Sequence, residues 1–396
     1  MANAPRFRVL VLNQISANGL KRLPADIYTT GKDTSDPDAV LVRSADMHGV
    51  DVAQSVKAIG RAGAGTNNIP VKAMSARGVP VFNAPGANAN AVKELVLAGM
   101  LIAARNLAPA QRFVEQLDPA AADLDKAVED GKKSFAGYEL AGQTLGIIGL
   151  GKIGCLVADA AIKLGMNVLG YDPEITVDAA WSLPAQVKKA SSVNDVLKNA
   201  NFISLHVPLV EATRDLVNDK NVGLAREGAV LLNFSREGVV SDAAVLAGLE
   251  AGQLGWYVCD FPSGKIIRHP KVVALPHLGA STREAEENCA IMVADQLRDY
   301  LENGNIANAV NFPNVAMPRE SRFRIAIANA NVPNMLGQIS TAMAHAGLNI
   351  HNMVNKSRGD MAYTLVDVDS AVGDGVIAAL RGIEGVLAVR YLPQPE

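Results

Sequence analysis

The chain has 396 residues, of which 49% are hydrophobic and 19% are charged, and its formal net charge is -3. This length exceeds that of one ordinary domain, and the composition is typical of a folded α/β enzyme rather than of a disordered or fibrous chain. Because no block of like charge stands out, the sequence offers no electrostatic footprint for nucleic acid or for an anionic membrane surface.

The amino terminus and the cysteines indicate an intracellular location. Residues 1–12 lack the charged, apolar and small-residue layout of a secretory signal. The longest apolar stretch, residues 95–104, is about half the length that spans a bilayer. The three cysteines have no metal-ligand or CxxC spacing, which favours free thiols. We therefore expect a cytoplasmic protein without a metal site.

The first third of the chain alternates short apolar runs with helix-length segments. A series of βα units implies a parallel sheet that has helices on both faces. The strand candidates are residues 8–13, 39–43, 58–62 and 79–83.

A second series of apolar runs begins at Thr144. Six strands with intervening helices make up a full dinucleotide-binding domain. A helical pattern then follows a Ser281–Glu284 capping box, and Gly304 is its expected end. The strand candidates are residues 145–149, 167–171, 202–206, 229–233, 256–260 and 272–275.

The C-terminal quarter has a different order of elements. Residues 311–322 contain two prolines and no periodicity, which is typical of a linker. Beyond them the pattern reads strand, helix, strand, strand, helix, strand, which is the ferredoxin-like βαββαβ arrangement. We therefore predict two Rossmann-like, doubly wound parallel-sheet domains and a C-terminal βαββαβ domain.

A glycine motif, Gly149-Leu-Gly151-Lys-Ile-Gly154, lies between a predicted strand and a predicted helix. In this context the first glycine permits the tight turn, the second admits a pyrophosphate, and the third lets helix and strand pack closely. Asp172 follows 18 residues later at the end of the next strand, where its carboxylate would bind the ribose hydroxyls of NAD and repel the extra phosphate of NADP. A purely structural glycine turn is the alternative.

Polar residues follow three strands in the second half of this predicted domain, where ligands of such sheets bind. Arg236 lies just after Asn233 and offers a planar fork to a carboxylate. Of the six histidines only His206 and His277 end sheet strands, and a histidine is suited to accept a hydroxyl proton. Together with Arg236 in one crevice, His277 becomes the better candidate for the base.

These motifs resemble the D-2-hydroxyacid dehydrogenase family over nearly the whole chain. The resemblance is carried by the glycine motif, by Asn-Phe-Ser-Arg236-Glu-Gly-Val-Val and by Pro-His277-Leu-Gly-Ala-Ser-Thr. It implies that Arg236 binds the substrate carboxylate and that His277 is the acid/base. The cofactor contacts that we expect are Gly149, Gly151, Lys152, Ile153, Gly154, Asp172, His206, Val207, Pro208, Asn233, Ser235, Asp260, His277 and Gly279.

The sequence departs from the family at its catalytic glutamate. That residue normally lies two positions after the Phe-Pro of the fifth strand and supports the protonated histidine. Here Phe261-Pro262 is followed by Ser263 and Gly264, so glycine occupies the position. Either another acid supports His277 or His277 acts without one.

Within the family, the N-terminal loops are similar to those of members that act on 3-phosphoglycerate. Arg43, Ser44, Gly63 and Asn88, with Arg236, are the substrate contacts that this similarity implies. Other 2-hydroxyacids, such as the reduced forms of hydroxypyruvate or glyoxylate, and 2-hydroxyglutarate, are the alternative substrates. A protein that binds NAD(H) as a sensor without catalysis is the alternative from another class.

The C-terminal domain resembles an ACT domain, a regulatory module that binds amino acids. Asn331 and Asn349 match ligand positions of the family, and Asn329 replaces its histidine. The resemblance implies feedback by L-serine, or else a domain kept for assembly of a dimer or tetramer. The expected domains are residues 1–88 with 283–310 for the substrate, 89–282 for NAD, the linker 311–322, and the ACT domain 323–396.

Overall fold

The structure is a computed structural model that describes residues 6–394 of the chain. The chain divides into two compact units, one of Met1–Asn88 with Arg283–Glu396 and the other of Ala89–Thr282. None of the helices in the described part is long and apolar enough to cross a membrane. All three cysteines are free thiols, as the sequence predicts, and the structure shows that each of them is buried.

Sixteen strands and twelve α-helices are found between residues 6 and 394. The strands are β1 (Phe7–Leu12), β2 (Tyr28–Gly31), β3 (Ala39–Val42), β4 (Ala58–Arg61), β5 (Val81–Phe82), β6 (Thr144–Ile148), β7 (Asn167–Tyr171), β8 (Lys188–Lys189), β9 (Phe202–Leu205), β10 (Ala229–Asn233), β11 (Leu254–Cys259), β12 (Val272–Ala274), β13 (Phe323–Ala330), β14 (Ile350–Arg358), β15 (Met361–Val368) and β16 (Val386–Pro393).

The helices connect these strands and cover the sheets. They are α1 (Ala17–Leu20), α2 (Val71–Ala76), α3 (Ala89–Ala104), α4 (Leu107–Glu115), α5 (Leu124–Gly131), α6 (Lys152–Lys163), α7 (Val177–Ser182), α8 (Val193–Asn199), α9 (Asp242–Glu250), α10 (Arg283–Asn303), α11 (Met335–His345) and α12 (Asp374–Arg381). Short 3-10 turns occur at Lys132–Phe135, Glu211–Thr213 and Val222–Leu224.

The N-terminal sheet is parallel and has the order β2-β1-β3-β4-β5. Its strands bury side chains on both faces: Leu41 packs towards α10, while Val40 and Val42 pack on the side of α2. The prediction of a parallel sheet with helices on both faces is therefore confirmed. The sequence missed β2, an edge strand in which Thr29 and Thr30 are exposed and give no apolar signal.

The second unit contains a parallel sheet of seven strands in the order β12-β11-β10-β9-β6-β7-β8. All six predicted strands are present, two of them with the predicted bounds. The seventh strand, β8, consists of two exposed lysines at the edge of the sheet. Its sequence shows neither the alternation nor the hydrophobicity that would predict a strand. In the register, Asn233 lies beside Cys259, and Cys259 lies beside Ala274. These three strands therefore end in one row.

The C-terminal residues form the predicted βαββαβ order, with an antiparallel sheet β14-β15-β13-β16. Two helices, α11 and α12, cover one face of this sheet. The other face contributes Ala326, Tyr363 and Leu365 to the core that also contains α10 and the N-terminal strands. Residues 323–394 therefore pack within the first unit rather than as a separate body.

The segment predicted as a linker, residues 311–322, packs into the core of the first unit. It has no helix and no strand, but Phe312, Val315 and Met317 are buried in the core. Val315 also forms an isolated bridge with Ile306. Removal of these three large apolar side chains from water stabilises the contact between the segment and the core.

The carboxyl end of α10 is bound by side chains of the C-terminal residues. The last carbonyls of a helix have no partner inside the helix, so donors from elsewhere must satisfy them. Here a group of three arginines and one tyrosine donates to five consecutive carbonyls. The pairs are Arg390 with Tyr300 (3.0 Å) and Leu301 (2.8 Å), Arg319 with Glu302 (3.1 Å), Arg324 with Asn303 (3.1 Å), and Tyr363 with Gly304 (2.7 Å).

Arg324 also forms a fully buried ion pair with Asp367. The Nε atom lies 2.6 Å from Oδ1 and a terminal nitrogen lies 2.8 Å from Oδ2, with both side chains inaccessible to solvent. Burial by itself would raise the pKa of Asp367, but the hydrogen bonds from Arg324 and from the Glu320 amide, with the arginine charges, lower it below the ordinary value. The aspartate is therefore ionised in the folded protein.

Replacement of Asp367 by asparagine is expected to destabilise the protein by about 3–5 kcal/mol at pH 7, because it leaves a buried guanidinium without its counter-charge. The wild-type pKa is lowered on folding, so the stabilisation is complete above the unfolded value of about 3.9 and is lost as pH falls through the folded value. Urea unfolding from pH 7 down to pH 3 measures both effects.

Asp295→Asn is the matched control, since Asp295 pairs with Arg22 at 2.7 Å in the same unit but at the surface. Its loss should change the free energy of unfolding by less than about 1 kcal/mol. Equal losses in the two variants would contradict the role given to the buried pair.

Candidate active site

The glycine turn after β6 has a geometry that only glycine can adopt at its first position. Gly149 has a φ of +94°, and a Cβ atom there would lie 2.4 Å from the carbonyl oxygen of His206. Its amide donates to the carbonyl of Tyr171 over 2.9 Å, so the turn is fixed to the end of β7. The chain therefore turns sharply at Gly149, between the end of β6 and the start of α6.

The other two glycines differ in their surroundings. Gly151 immediately precedes α6, and no heavy atom lies within 4 Å of the position that its Cβ would take. A Cβ on Gly154 would lie 2.1 Å from the carbonyl oxygen of Gly149, so helix and strand approach too closely for a side chain. The amino terminus of α6, with Lys152 and Ile153 as its first residues, therefore faces open space that suits an anion.

Asp172 follows β7, and its carboxylate is held by two backbone amides. Oδ2 accepts from Leu150 over 2.8 Å and Oδ1 accepts from Glu174 over 2.9 Å. The side chain is only partly buried, which leaves lone pairs on both oxygens for further donors. The hydrogen bond from the Leu150 amide thus connects Asp172 to the glycine turn.

His206 follows β9 on the other side of the same turn, and Val207 and Pro208 come after it. The Nε2 atom lies 2.9 Å from the hydroxyl oxygen of the buried Ser204. Burial lowers the pKa of His206 to about 4, so the ring is neutral at pH 7. Its Nδ1 atom is buried and has no hydrogen-bond partner in the described part of the chain. An atom in this state requires a partner such as a bound molecule or water.

The loop after β10 is organised by the side chain of Asn233. Its Oδ1 accepts from the hydroxyl of Ser235 over 2.8 Å, and its Nδ2 donates to the carbonyl of Arg236 over 3.0 Å. The Arg236 side chain is exposed, and within residues 6–394 it forms no ion pair. A hydrogen-bonded loop thus presents a guanidinium that has no counter-charge among the described residues.

The loop after β11 and the loop after β12 are connected by Asp260. This aspartate is 1% exposed, and its two oxygens accept from the amides of Leu278 over 2.6 Å and Gly279 over 2.7 Å. Its own carbonyl accepts from the amide of His277 over 3.1 Å. The sequence predicted Asp260 as a cofactor contact, whereas its carboxylate oxygens bind the His277 loop.

His277 has a left-handed backbone with a φ of +56°, and its side chain is exposed. The imidazole packs against the ring of Phe261, with 4.6 Å between the centroids. No carboxylate among residues 6–394 makes a hydrogen bond or an ion pair with this ring. Gly264 has no heavy atom within 4 Å of its Cβ position, so the site of the family's glutamate is open space.

The predicted substrate residues of the first unit have mixed surroundings. Arg43 is paired with Glu286 of α10 over 2.7 Å, a contact 243 positions apart that the sequence did not suggest. Ser44 is exposed and Asn88 is partly buried. A Cβ on Gly63 would lie 1.6 Å from a guanidinium nitrogen of Arg61, so no side chain fits at Gly63. Arg61 is therefore a further cation beside the predicted substrate residue Gly63.

The three predicted regulatory asparagines do not lie together. Asn329 and Asn331 are at the end of β13 that pairs with Met361, whereas Asn349 precedes β14 at the opposite end, beside Asp369. The eight residues of β13 make these ends about 26 Å apart. Asn329 is buried, while Asn331 and Asn349 are exposed. One copy of the chain therefore cannot bring Asn331 and Asn349 to the same small ligand.

Comparison with known proteins agrees with this geometry. Residues 97–279 match the D-isomer specific 2-hydroxyacid dehydrogenase, NAD binding domain. D-3-phosphoglycerate dehydrogenase from Haemophilus influenzae is 31% identical over 87% of this chain and 83% of its own length. The enzyme of that name from Methanocaldococcus jannaschii is 34% identical over 79% of this chain, which spans 59% of that relative's length.

Among solved structures, the NAD+-bound 3-phosphoglycerate dehydrogenase of Entamoeba histolytica is similar in fold. The TM-score is 0.59 and the identity 24%, and the match covers 78% of this chain and 99% of that one. The chain belongs to the D-isomer-specific 2-hydroxyacid dehydrogenase family. It is an NAD-dependent oxidoreductase whose residues 97–279 correspond to the family's NAD-binding domain.

The residues present fit NAD on three observations. The open space at Gly151 admits a pyrophosphate, and the fixed carboxylate of Asp172 can accept from ribose hydroxyls. The buried Nδ1 of His206 has no hydrogen-bond partner among the described residues. The sequence motif identified the first two features. The state of His206 depends on burial, which the sequence did not give.

Replacement of Gly151 by alanine is expected to weaken NADH binding by about tenfold or more, because a methyl group would occupy the approach of the pyrophosphate. The melting temperature should stay within about 2 °C, since beyond its chain neighbours no heavy atom of residues 6–394 lies within 4 Å of the added atom. Fluorescence titration of NADH and a thermal scan measure the two quantities.

Gly154→Ala is the matched comparison, because its added methyl group collides with the Gly149 carbonyl. It should lower the melting temperature as well as NADH affinity. A Gly151→Ala variant that binds NADH like the wild type would show that the pyrophosphate does not lie over this turn.

Proposed function

We propose that the chain oxidises 3-phospho-D-glycerate to 3-phosphohydroxypyruvate with NAD, which is the first step of phosphorylated L-serine biosynthesis. The relatives of the chain that bear the name D-3-phosphoglycerate dehydrogenase support this substrate. The observation that carries the proposal is the hydrogen-bonded link from Asn233 through Asp260 to His277, since it fixes the loops of Arg236 and His277 at one edge of the sheet.

The chemistry is divided among a few side chains. The guanidinium of Arg236, which forms no ion pair within residues 6–394 and donates one N–H to the Ser235 carbonyl over 2.6 Å, binds the substrate carboxylate through its remaining N–H groups. His277 takes the proton of the C2 hydroxyl and returns it in the reverse reaction. NAD, when bound, supplies the acceptor for the C2 hydride. Holding the carboxylate and the hydroxyl at once orients the reacting carbon, which lowers the entropic part of the barrier.

Phosphate binding by Arg43 stays a prediction, because its guanidinium is paired with Glu286. A phosphate there would have to displace this carboxylate or share the arginine with it. This contact favours, as a second candidate, a 2-hydroxyacid without a phosphate, such as D-glycerate or 2-hydroxyglutarate. The ratio of kcat/KM for 3-phosphoglycerate to that for D-glycerate, measured by NADH formation, decides between them.

Replacement of His277 by alanine should lower kcat about 100-fold or more if its ring moves the hydroxyl proton. The Kd of NADH should change far less than kcat, because the variant leaves the glycine turn and Asp172 unchanged. Steady-state kinetics at pH 7 and a fluorescence titration give the two values.

His345→Ala, at the exposed end of α11, is the matched histidine control and should keep wild-type kcat. Near-normal turnover of His277→Ala at neutral pH would remove His277 as the acid/base. Tight NADH binding by the wild type without turnover of any 2-hydroxyacid or 2-keto acid would instead favour a sensor of NAD(H).

We further propose that L-serine binds the C-terminal residues and inhibits the enzyme. Because Asn331 and Asn349 lie at opposite ends of one sheet, a site that uses both requires two copies of the chain. The exposed edge strand β14 offers one way for two copies to pair, and we therefore propose a homo-oligomer. The arginines bound to the end of α10 connect a ligand-induced change in this sheet to that helix.

Serine in the millimolar range is expected to lower the initial rate, and Asn349→Ala should abolish this effect without changing the rate in its absence. Initial rates against serine concentration, with sedimentation of the protein in the same buffer, provide the measurement. No change of rate or of melting temperature across this range would leave the domain with a role in assembly alone.

A further inference from the structure

The His277 loop has an unusual support. The backbone of His277 lies in the left-handed region, which is uncommon for a residue with a side chain and costs free energy unless the surroundings hold it there. Its imidazole has a single ring contact, with Phe261, and no carboxylate partner in the described part of the chain. Something other than a partner of the ring must therefore keep the ring in place.

Asp260 provides the support through the backbone. The carboxylate accepts from the two residues after His277, and the carbonyl accepts from His277 itself. Three consecutive amides are thus bound by one residue, two of them by its side-chain oxygens and one by its backbone carbonyl. Because Asp260 is 1% exposed, its carboxylate is shielded from solvent on the side away from this loop.

The same residue is tied to the loop of Arg236. The amide of Asp260 donates to the carbonyl of Asn233 over 3.1 Å, and the Asn233 side chain holds the Arg236 carbonyl. Asp260 consequently fixes the spacing between the loop that binds the carboxylate and the loop that carries the base. A shift of Asp260 would alter that spacing without removing either side chain.

We infer that Asp260 is the positioning residue of His277, and that its contacts with residues 277–279 replace the side-chain carboxylate that Gly264 cannot supply. The inference rests on the proposed role of His277 as the acid/base. It assigns to Asp260 an effect on turnover that is distinct from the cofactor contact expected for it from the sequence.

Asp260→Asn tests this assignment. The amide oxygen can still accept one N–H, but the NH2 group faces the second N–H donor, so the loop loses part of its support. A displacement of the base by about 1 Å costs on the order of 100-fold in rate, and kcat should fall towards that extent. The KM of the substrate and the Kd of NADH should stay within about threefold, because Arg236 and the glycine turn are unchanged.

Hydrogen exchange gives a readout that does not depend on the substrate. In Asp260→Asn, the peptide that contains Leu278 and Gly279 should exchange its amide protons faster, while the peptides of β10 and β6 should keep their protection. Asp242→Asn is the matched control: Asp242 accepts from the hydroxyl of Ser263 over 2.7 Å in the same unit, and its variant should keep wild-type kcat and exchange.

Gly279→Ala is the second variant, in case Asp260→Asn does not fold. Its Cβ would lie 3.0 Å from Oδ2 of Asp260, so it displaces the loop from the carboxylate while the charge is retained. It should lower kcat several-fold and speed amide exchange in the same peptide.

Two results would overturn the inference. One is wild-type kcat in both variants, and the other is a tenfold or greater rise in the Kd of NADH with unchanged kcat, which would make Asp260 a cofactor contact. The assays use whichever 2-hydroxyacid the wild type oxidises, so failure of 3-phosphoglycerate as substrate does not affect this test.

Discussion

The parallel register of β10, β11 and β12 is the constraint on which the candidate active site depends. Asn233, Cys259 and Ala274 lie in one row, so the three loops that follow these strands leave the sheet at the same edge. Parallel strands with helical crossovers always present their carboxyl ends together. The loops that carry Arg236, Asp260 and His277 are therefore adjacent because of the sheet, although the first and the last of these residues are 41 positions apart in the sequence.

At this edge, a network of hydrogen bonds fixes the loops that carry Arg236 and His277. Asn233 holds the arginine loop, Asp260 holds the histidine loop, and one amide-to-carbonyl hydrogen bond joins the two. The glycine turn and Asp172 lie at the ends of β6 and β7 in the same sheet. Side-chain hydrogen bonds also hold the other unit together. Four side chains of the C-terminal residues donate to the backbone carbonyls at the end of α10, and the C-terminal sheet shares a core with the N-terminal strands.

The sequence predicted much of the fold because the signals were local. Apolar runs gave the buried strands, the glycine motif gave the turn, and the βαββαβ order followed from periodicity. The edge strands β2 and β8 were missed because they consist of exposed polar residues. The burial of Phe312 and Val315 in the predicted linker was not foreseen, because these apolar residues are isolated among polar ones. Contacts distant in sequence, such as Arg43 with Glu286 and Asp260 with Gly279, carry no pattern and required the structure.

A crystal structure of the protein with NADH and a 2-keto acid product, or an unreactive analogue of it, tests the central claim most directly. We predict that the guanidinium of Arg236 binds the carboxylate and that the imidazole of His277 lies within hydrogen-bond distance of the C2 oxygen, beside the nicotinamide ring. The carboxylate of Asp260 should remain on the amides of Leu278 and Gly279. A ligand carboxylate bound far from Arg236, or a C2 oxygen out of reach of His277, would contradict the account.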